Sequence, residues 1–385
     1  MPAEAPGAGA VKPRSPARWT TRHLSAMLQA PATTAPLISD PSACRPVLAG
    51  YDVWDMWPVQ GEDGHPARTD GHELWMALVA PAEGHPEQRH DRARIRLLSR
   101  RPTGWRDLGH AFAPGTSLGS REWSGSALRR PDGTVVVYYT AAGERGEHHT
   151  TFGQRVVEAT LPESVATGSG TASTSHRSVL QAAGPSYLPT DNPEAGPDTI
   201  RAFRDPAWFR DPADHSEHLV VAASVPWRAG FMGAVALADR NCGQWELGAP
   251  ILVADGIHQE IERPHVIVHE SRYYLFYSAH RHRFHPPNSG PTGLYGFVGP
   301  TLTGPYQPLN TSGLVIANPP ERPDQAYAWW VLPDLSVHSF LDYVASDGAD
   351  VRHASGEAAR SAFGGTFAPV LGLAISGSTT TVTSR

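Results

Sequence analysis

Gln259-Glu260-Ile261-Glu262-Arg263-Pro264-His265-Val266-Ile267-Val268 sets two carboxylates two residues apart, just ahead of an apolar run. In an extended chain, side chains at i and i+2 point the same way. Glu260 and Glu262 are therefore expected on one face, with Ile261 pinned into the other. Like charges that close raise the pKa of at least one of them. A carboxyl still protonated near neutral pH is what a general acid needs.

Short β-rich runs of the same kind recur on both sides of this stretch: Leu74–Val79, Ile95–Leu98, Thr134–Thr140, His218–Ala223, Tyr273–Ser278, Leu294–Val298, Trp329–Leu332 and Val337–Val344. Gly, Pro, Asn and Asp punctuate them. The 37 glycines and 36 prolines fit a loop-rich all-β chain. Even spacing over this length predicts a barrel, a sandwich or a propeller. Residues 17–30 are the best helix candidate, with a Thr cap before a Leu24, Met27, Leu28 stripe. Gly168–Ser175 and Gly184–Asp198 read as mobile stretches, but neither marks a domain boundary. Residues 17–385 are expected to form one domain behind a flexible Pro/Ala/Gly-rich lead, Met1 to Pro16.

The 385 residues are 40% hydrophobic and 18% charged, a globular composition, with net charge −6 and Lys12 as the only lysine. No basic run exists, so neither nucleic acid nor an anionic membrane surface is an expected partner. No apolar run approaches a membrane span. The lead lacks an apolar h-region, so it does not read as a Sec-type signal. Export by another route and a cytoplasmic location both stay open. Two cysteines, Cys44 and Cys242, exclude a disulfide framework and leave either free thiols or one bridge.

Four constellations carry chemistry. Tyr51-Asp52-Val53-Trp54-Asp55-Met56-Trp57-Pro58 surrounds acids with aromatics, as in sites where rings pack on sugar faces; a core strand ending in an Asp turn explains it equally. Glu122-Trp123-Ser124-Gly125-Ser126 is a weaker polar–aromatic knot that a loop with a buried Trp would also produce. Phe203-Arg204-Asp205-Pro206 recurs as Phe209-Arg210-Asp211-Pro212. An Arg beside an Asp lowers the carboxyl's pKa, but Asp-Pro is also an ordinary turn starter. His280-Arg281-His282-Arg283 is either a solvated basic loop or a set of donors for hydroxyls. His258, Glu260 and Glu262, or His280 and His282, alternate as metal ligands can, but no third or fourth ligand stands at diagnostic spacing. Walker and dinucleotide motifs are absent. Three separated acids remain, Asp55, Asp205 and Glu262, and glycoside chemistry uses paired carboxyls.

Together these segments resemble glycoside hydrolase family 68, the levansucrases, inulosucrases and related β-fructofuranosidases, and more closely its Gram-negative-type members. Val53–Pro58 is similar to the family's nucleophile motif, Glu122–Ala127 to its Trp-Ser-Gly-Ser segment, Arg204–Pro206 to its Arg-Asp-Pro motif and Glu260–Pro264 to its acid/base motif. Gly293–Val298, Leu302–Tyr306 and Gly364–Pro369 follow in family order. The resemblance implies a five-bladed β-propeller with a funnel-shaped central pocket. It implies a retaining fructosyltransferase that takes fructosyl from sucrose to fructan, other sugars or water. Asp55 would be the nucleophile, Glu262 the acid/base and Asp205 the transition-state stabiliser. Trp54, Trp123, Ser124, Arg204, Glu260 and Tyr327 would shape the sugar subsites, and His280 and Arg281 would face the glucosyl unit. Asp55 then needs a low pKa and Glu262 a raised one, with Glu260 supplying part of the raise. Asp205 is favoured over Asp211, which reads as structural.

Three departures stand out. Gln259 replaces the Asp of calcium-binding members, so neither metal nor cofactor is expected. Ala222-Ala223-Ser224 replaces a Phe-Glu-Gly-Asn-like segment, which bears on the pocket's support. His282-Arg283 replaces small polar residues and bears on product size. A mainly hydrolytic enzyme and a non-catalytic sugar-binding propeller are the competing readings.

Overall fold

The computed structural model describes residues 15–29, 33–166, 174–191, 200–226, 232–345 and 351–383. Most of the first mobile stretch and part of the second, 167–173 and 192–199, lie outside the described residues, as does residues 1–14 of the lead.

Every run read as a strand falls on one, with Thr134, Leu332 and Val344 just outside the strand ends. The sheets are antiparallel runs in chain order. Tyr51–Gln60, His72–Pro81, Arg94–Arg101 and Gly104–His110 follow one another. Arg121–Arg129, Val135–Ala142, Gln154–Leu161 and Ser175–Leu180 form a second run. Phe203–Arg210, Glu217–Ser224, Gly233–Asn241 and Gln244–Val253 form the next. Glu262–His269, Arg272–Ala279 and Gly293–Gly299 lead another, and Ala326–Val331 and Ser336–Tyr343 lead the last. A parallel pairing of Val59-Gln60 with Ala127-Leu128 joins the first two runs into a nine-stranded sheet. Among the described residues, no sheet closes on itself.

The strand that opens each run packs against its counterparts in cyclic order. Tyr51–Gln60 touches Arg121–Arg129, which touches Phe203–Arg210. That strand touches Glu262–His269, which touches Ala326–Val331, and Ala326–Val331 touches Tyr51–Gln60 again. These strands are buried almost throughout, which removes the polar/apolar alternation of a half-exposed strand.

The helix differs from expectation. It spans Thr21–Gln29, because Ala17-Arg18 instead pairs in parallel with Leu252-Val253. Leu24 and Met27 are buried, but Leu28 is 84% exposed and lies off the apolar stripe. Trp19 anchors this segment, its indole donating to Ser312 O at 3.1 Å and its ring set against Tyr277, Phe284 and Tyr295. Cys44 and Cys242 are unpaired. Among the described residues, no helix is long and apolar enough to cross a membrane.

Candidate active site

Each opening strand carries a bulge at the same depth. Asp55-Met56 bulges between the pairs Trp54–Leu78 and Trp57–Met76, so two residues oppose one. Asp205-Pro206 does so between Arg204–Ala222 and Ala207–Val220, and Arg263-Pro264 between Glu262–Ser278 and His265–Phe276. Ala328-Trp329 does so between Tyr327–Phe340 and Trp330–His338. The first residue of each bulge is left-handed, with φ of 47° at Asp55, 57° at Asp205, 51° at Arg263 and 55° at Ala328. Only the second run differs: Ser124 alone is extra there. The next residue must be Gly125, since a Cβ would lie 1.9 Å from Tyr138 O.

A bulge re-aims side chains, and Asp55, Ser124, Asp205 and Arg263 at these bulges line one cavity of about 640 Å³. It is lined by Trp54, Asp55, Trp123, Ser124, Arg204, Asp205, Glu260, Glu262, His280 and Tyr327. Of the expected site residues, only Arg281 does not line it. Its Nε pairs with Asp324 Oδ2 at 2.9 Å. Asp211 is also elsewhere, accepting from Tyr273 Oη at 2.5 Å and Ala213 N at 2.9 Å. His282 and Arg283 do reach the cavity wall. Ala222 backs Arg204 in the neighbouring strand, and Ser224 Oγ accepts from Ala202 N at 2.9 Å, so the departing segment is an ordered strand.

Ser124 Oγ donates to Asp55 Oδ2, and Tyr327 Oη donates to Glu262 Oε2. Glu260 and Glu262 do share a face, and Ile261 is fully buried behind them. Arg204 Nη2 reaches both, at 3.0 Å to Glu260 Oε2 and 2.8 Å to Glu262 Oε1. It is farther from its sequence neighbour, with Nε 3.9 Å from Asp205 Oδ2. Asp205 Oδ2 instead accepts from Arg263 N at 3.0 Å, and Arg263 Nη2 donates to Met56 O at 2.7 Å. Arg263 Nη1 lies 4.0 Å from Asp55 Oδ1.

This wiring reverses the expected proton affinities. Burial pushes Asp55 up, against the pull of Arg263 and the Ser124 hydroxyl. Burial also raises Asp205, to about 7, because Arg204 only partly offsets it and Glu262 and Asp55 add to it. Burial acts on Glu262 too, but Arg204 and the Tyr327 hydroxyl outweigh it and hold that carboxyl below its ordinary value. The expectation of a raised Glu262 overlooked the guanidinium lying between it and Glu260.

The metal reading fails on His258. Its Nδ1 accepts from Glu260 N at 3.1 Å and its Nε2 faces His280 O at 3.0 Å, so backbone occupies both nitrogens. Among the described residues no group of three or more His, Cys, Asp or Glu could hold a metal.

A second charged group on the cavity wall left no motif. Arg89 Nη1 pairs with Glu87 Oε1 at 3.2 Å, and Arg352 Nη2 with Asp342 Oδ2 at 2.9 Å and Asp324 Oδ1 at 3.3 Å. Glu87 and Arg89 share the short helical segment Pro86–Arg92, while Asp324, Asp342 and Arg352 come from separate segments far along the chain. His280 stacks on Tyr327 with centroids 3.4 Å apart, and burial together with Arg352 keeps it neutral. Trp54 Nε1, Arg204 Nη1, Glu260 Oε1 and Asp342 Oδ1 are buried with no hydrogen-bond partner.

Aromatic rings, paired acids and unmatched donors and acceptors on one cavity suit a polyhydroxylated ligand. The levansucrase/invertase family model, glycoside hydrolase family 68, matches residues 11–232 and 224–385. The chain belongs to this family. A levansucrase of Pseudomonas syringae pv. actinidiae is 31% identical over 403 aligned positions, covering 90% of this chain and 86% of that protein. A levansucrase of Rahnella aquatilis is 30% identical, covering 90% and 89%. The solved inulosucrase of Halalkalicoccus jeotgali, bound to kestose, is 34% identical with a TM-score of 0.84, covering 96% of both chains. Bacillus subtilis levansucrase, at 20% identity and a TM-score of 0.76, shares the fold.

Proposed function

We propose that this family 68 enzyme is a levansucrase-type fructosyltransferase that takes fructosyl from sucrose by a double displacement. The observation that carries the reading is the convergence of Asp55, Asp205 and Glu262 on one cavity from matching bulges. Asp55 attacks the anomeric carbon of the fructosyl unit while Glu262 protonates the departing glucose oxygen. The covalent fructosyl-enzyme then breaks when Glu262, now a base, takes the proton of the incoming acceptor. Two inversions give net retention. Fructan, another sugar or water is the acceptor.

The proton must sit on Glu262 at the first step. Asp205 holds it more readily in the free cavity. Fructosyl hydroxyls donating to Asp205 favour its ionised form. That passes the shared proton towards Glu262 as sucrose binds, so substrate binding arms the acid. Trp54, Trp123, Arg204, Glu260 and Tyr327 shape the sugar subsites, with His280 on the glucosyl side.

The cyclic contact of the opening strands supports a single five-bladed propeller over 17–385, with the cavity as its central funnel. A fructan product is too large to cross a membrane, which favours an enzyme acting outside the cell.

Incubation with sucrose tests the reading. Free glucose in excess over free fructose, together with polymer, is the expected result. Equal amounts would make the enzyme a hydrolase, and no glucose at all would overturn the assignment.

A further inference from the structure

We propose that Thr140, outside every motif, is a positioning residue whose hydroxyl locks the bulge of Ser124 to the bulge of Asp205. This rests on the roles assigned above to Asp55 and Asp205. Thr140 is fully buried in the strand Val135–Ala142 and stands opposite Trp123. Its Oγ1 donates to Ser124 O at 3.0 Å and accepts from Asp205 N at 2.9 Å. Ser124 in turn holds Asp55 through its own hydroxyl. One hydroxyl thus fixes, through two backbone groups, the residue that orients the nucleophile and the residue that carries the stabilising carboxylate.

The geometry explains why a hydroxyl is needed. A bulge leaves a backbone group without its ladder partner. Buried backbone groups left unpaired are costly, so a side chain must serve them. The bulge at Ala328-Trp329 shows the same solution with less at stake, as Ser278 Oγ accepts from Trp329 N at 2.9 Å, and Ser126 Oγ pins the strand beyond the Asp205 bulge by accepting from Trp208 N at 2.8 Å. Neither Trp208 nor Trp329 lines the cavity. Thr140, unlike these two serines, serves backbone groups in two bulges that both do. A shift of about 1 Å in such a pair is enough to cost about 100-fold in rate.

Thr140→Ser and Thr140→Ala lose the same methyl group and differ only in the hydroxyl, so their comparison isolates it. Thr140→Ser is expected to keep kcat on sucrose within about threefold of the parent, and Thr140→Ala to lose about 30- to 100-fold in kcat with KM changed only a few-fold. Ser126→Ala, which removes a pin remote from the cavity, is expected to lower the melting temperature with kcat nearly unchanged. Equal kcat in the serine and alanine variants of Thr140, or an equal kcat loss in Ser126→Ala, would overturn the proposal. The parent enzyme assayed beside Asp55→Ala keeps the outcomes separate. An Asp55→Ala variant as active as the parent would sink the assigned roles, whereas a silent Thr140→Ala with a dead Asp55→Ala would sink only the positioning claim.

Discussion

Two charged clusters face the same cavity, and they differ in their balance. In the first, Asp55, Asp205, Glu260 and Glu262 surround Arg204 and Arg263. In the second, Glu87, Asp342, Arg89 and Arg352 on the cavity wall meet Asp324 and Arg281, which do not line the cavity. The matched cluster holds Glu87 and Asp324 below the ordinary carboxyl range, because their guanidiniums outweigh burial. Only Asp342 goes up there, to about 6, as burial exceeds its pull from Arg352 and Arg89. The acid-rich cluster cannot ionise every member at low cost, and it keeps a proton near neutral pH, on Asp205 at about 7. A surplus of carboxyls thus separates a cluster that keeps a proton near pH 7 from one whose carboxyls are mostly held ionised.

The sharpest way to break that distinction is to remove the proposed nucleophile. Asp55→Ala is expected to lose sucrose turnover by about 10⁴-fold or more while still folding, as followed by glucose release and a thermal melt. Next come the two central arginines. Arg204→Met and Arg352→Met each strand buried carboxylates, so each should cost about 3–5 kcal/mol in denaturant unfolding. Their kinetics should diverge, with Arg204→Met losing far more kcat. Equal losses of kcat would mean that the two clusters do the same work.

The motif stretches made the first cluster legible and left the second invisible. Asp55, Arg204, Asp205, Glu260 and Glu262 stand in dense runs of aromatics, arginine and proline. Glu87 sits in the charge run Pro86–Arg92, which reads equally well as a solvated face, and Asp342 and Arg352 have no motif around them. The fold shows the same split. Strands such as Tyr273–Ser278 were plain as β-rich runs, and they fill the middles of the sheets. The strands Arg121–Arg129 and Phe203–Arg210 read instead as a loop and a pair of turns. Their bulges put two residues against one, or insert one, and break the period of two on which strand reading depends. The fivefold recurrence was hidden for that reason. Aligned on their bulges, Trp54-Asp55, Trp123-Ser124, Arg204-Asp205, Glu262-Arg263 and Tyr327-Ala328 are equivalent positions with almost no shared residue.

Stability against pH sharpens the comparison further. The folded pKa of Asp205, about 7, lies above the ordinary carboxyl value. A group raised on folding contributes stability that is full below its unfolded pKa and is lost as pH climbs through the folded value. Asp205 therefore destabilises the parent progressively between about pH 4 and pH 7. Asp205→Asn removes that dependence. Relative to the parent it should gain stability from pH 5 to pH 8, by about 2 kcal/mol, read from urea midpoints. A difference that stays flat over this range would show Asp205 ionised throughout, and the acid-rich cluster would hold no spare proton.

The smallest expected effects decide which member of the Asp55–Glu262 pair is the stronger acid. Under the proposed roles the productive form has Glu262 protonated and Asp55 ionised, one of two ways to place a single proton on that pair. With Asp55 raised and Glu262 lowered, the other arrangement is the commoner one. The acid limb of kcat/KM then follows Glu262 and the alkaline limb follows Asp55. Each carboxyl accepts one side-chain hydroxyl that lowers its pKa, from Ser124 on Asp55 and from Tyr327 on Glu262. Ser124→Ala should therefore move the alkaline limb to higher pH, and Tyr327→Phe should move the acid limb to higher pH. If Ser124→Ala moves the acid limb instead, Asp55 is the stronger acid of the pair, as its motif alone would suggest. The pull of Arg204 on Glu262 would then be weaker than its 2.8 Å contact implies.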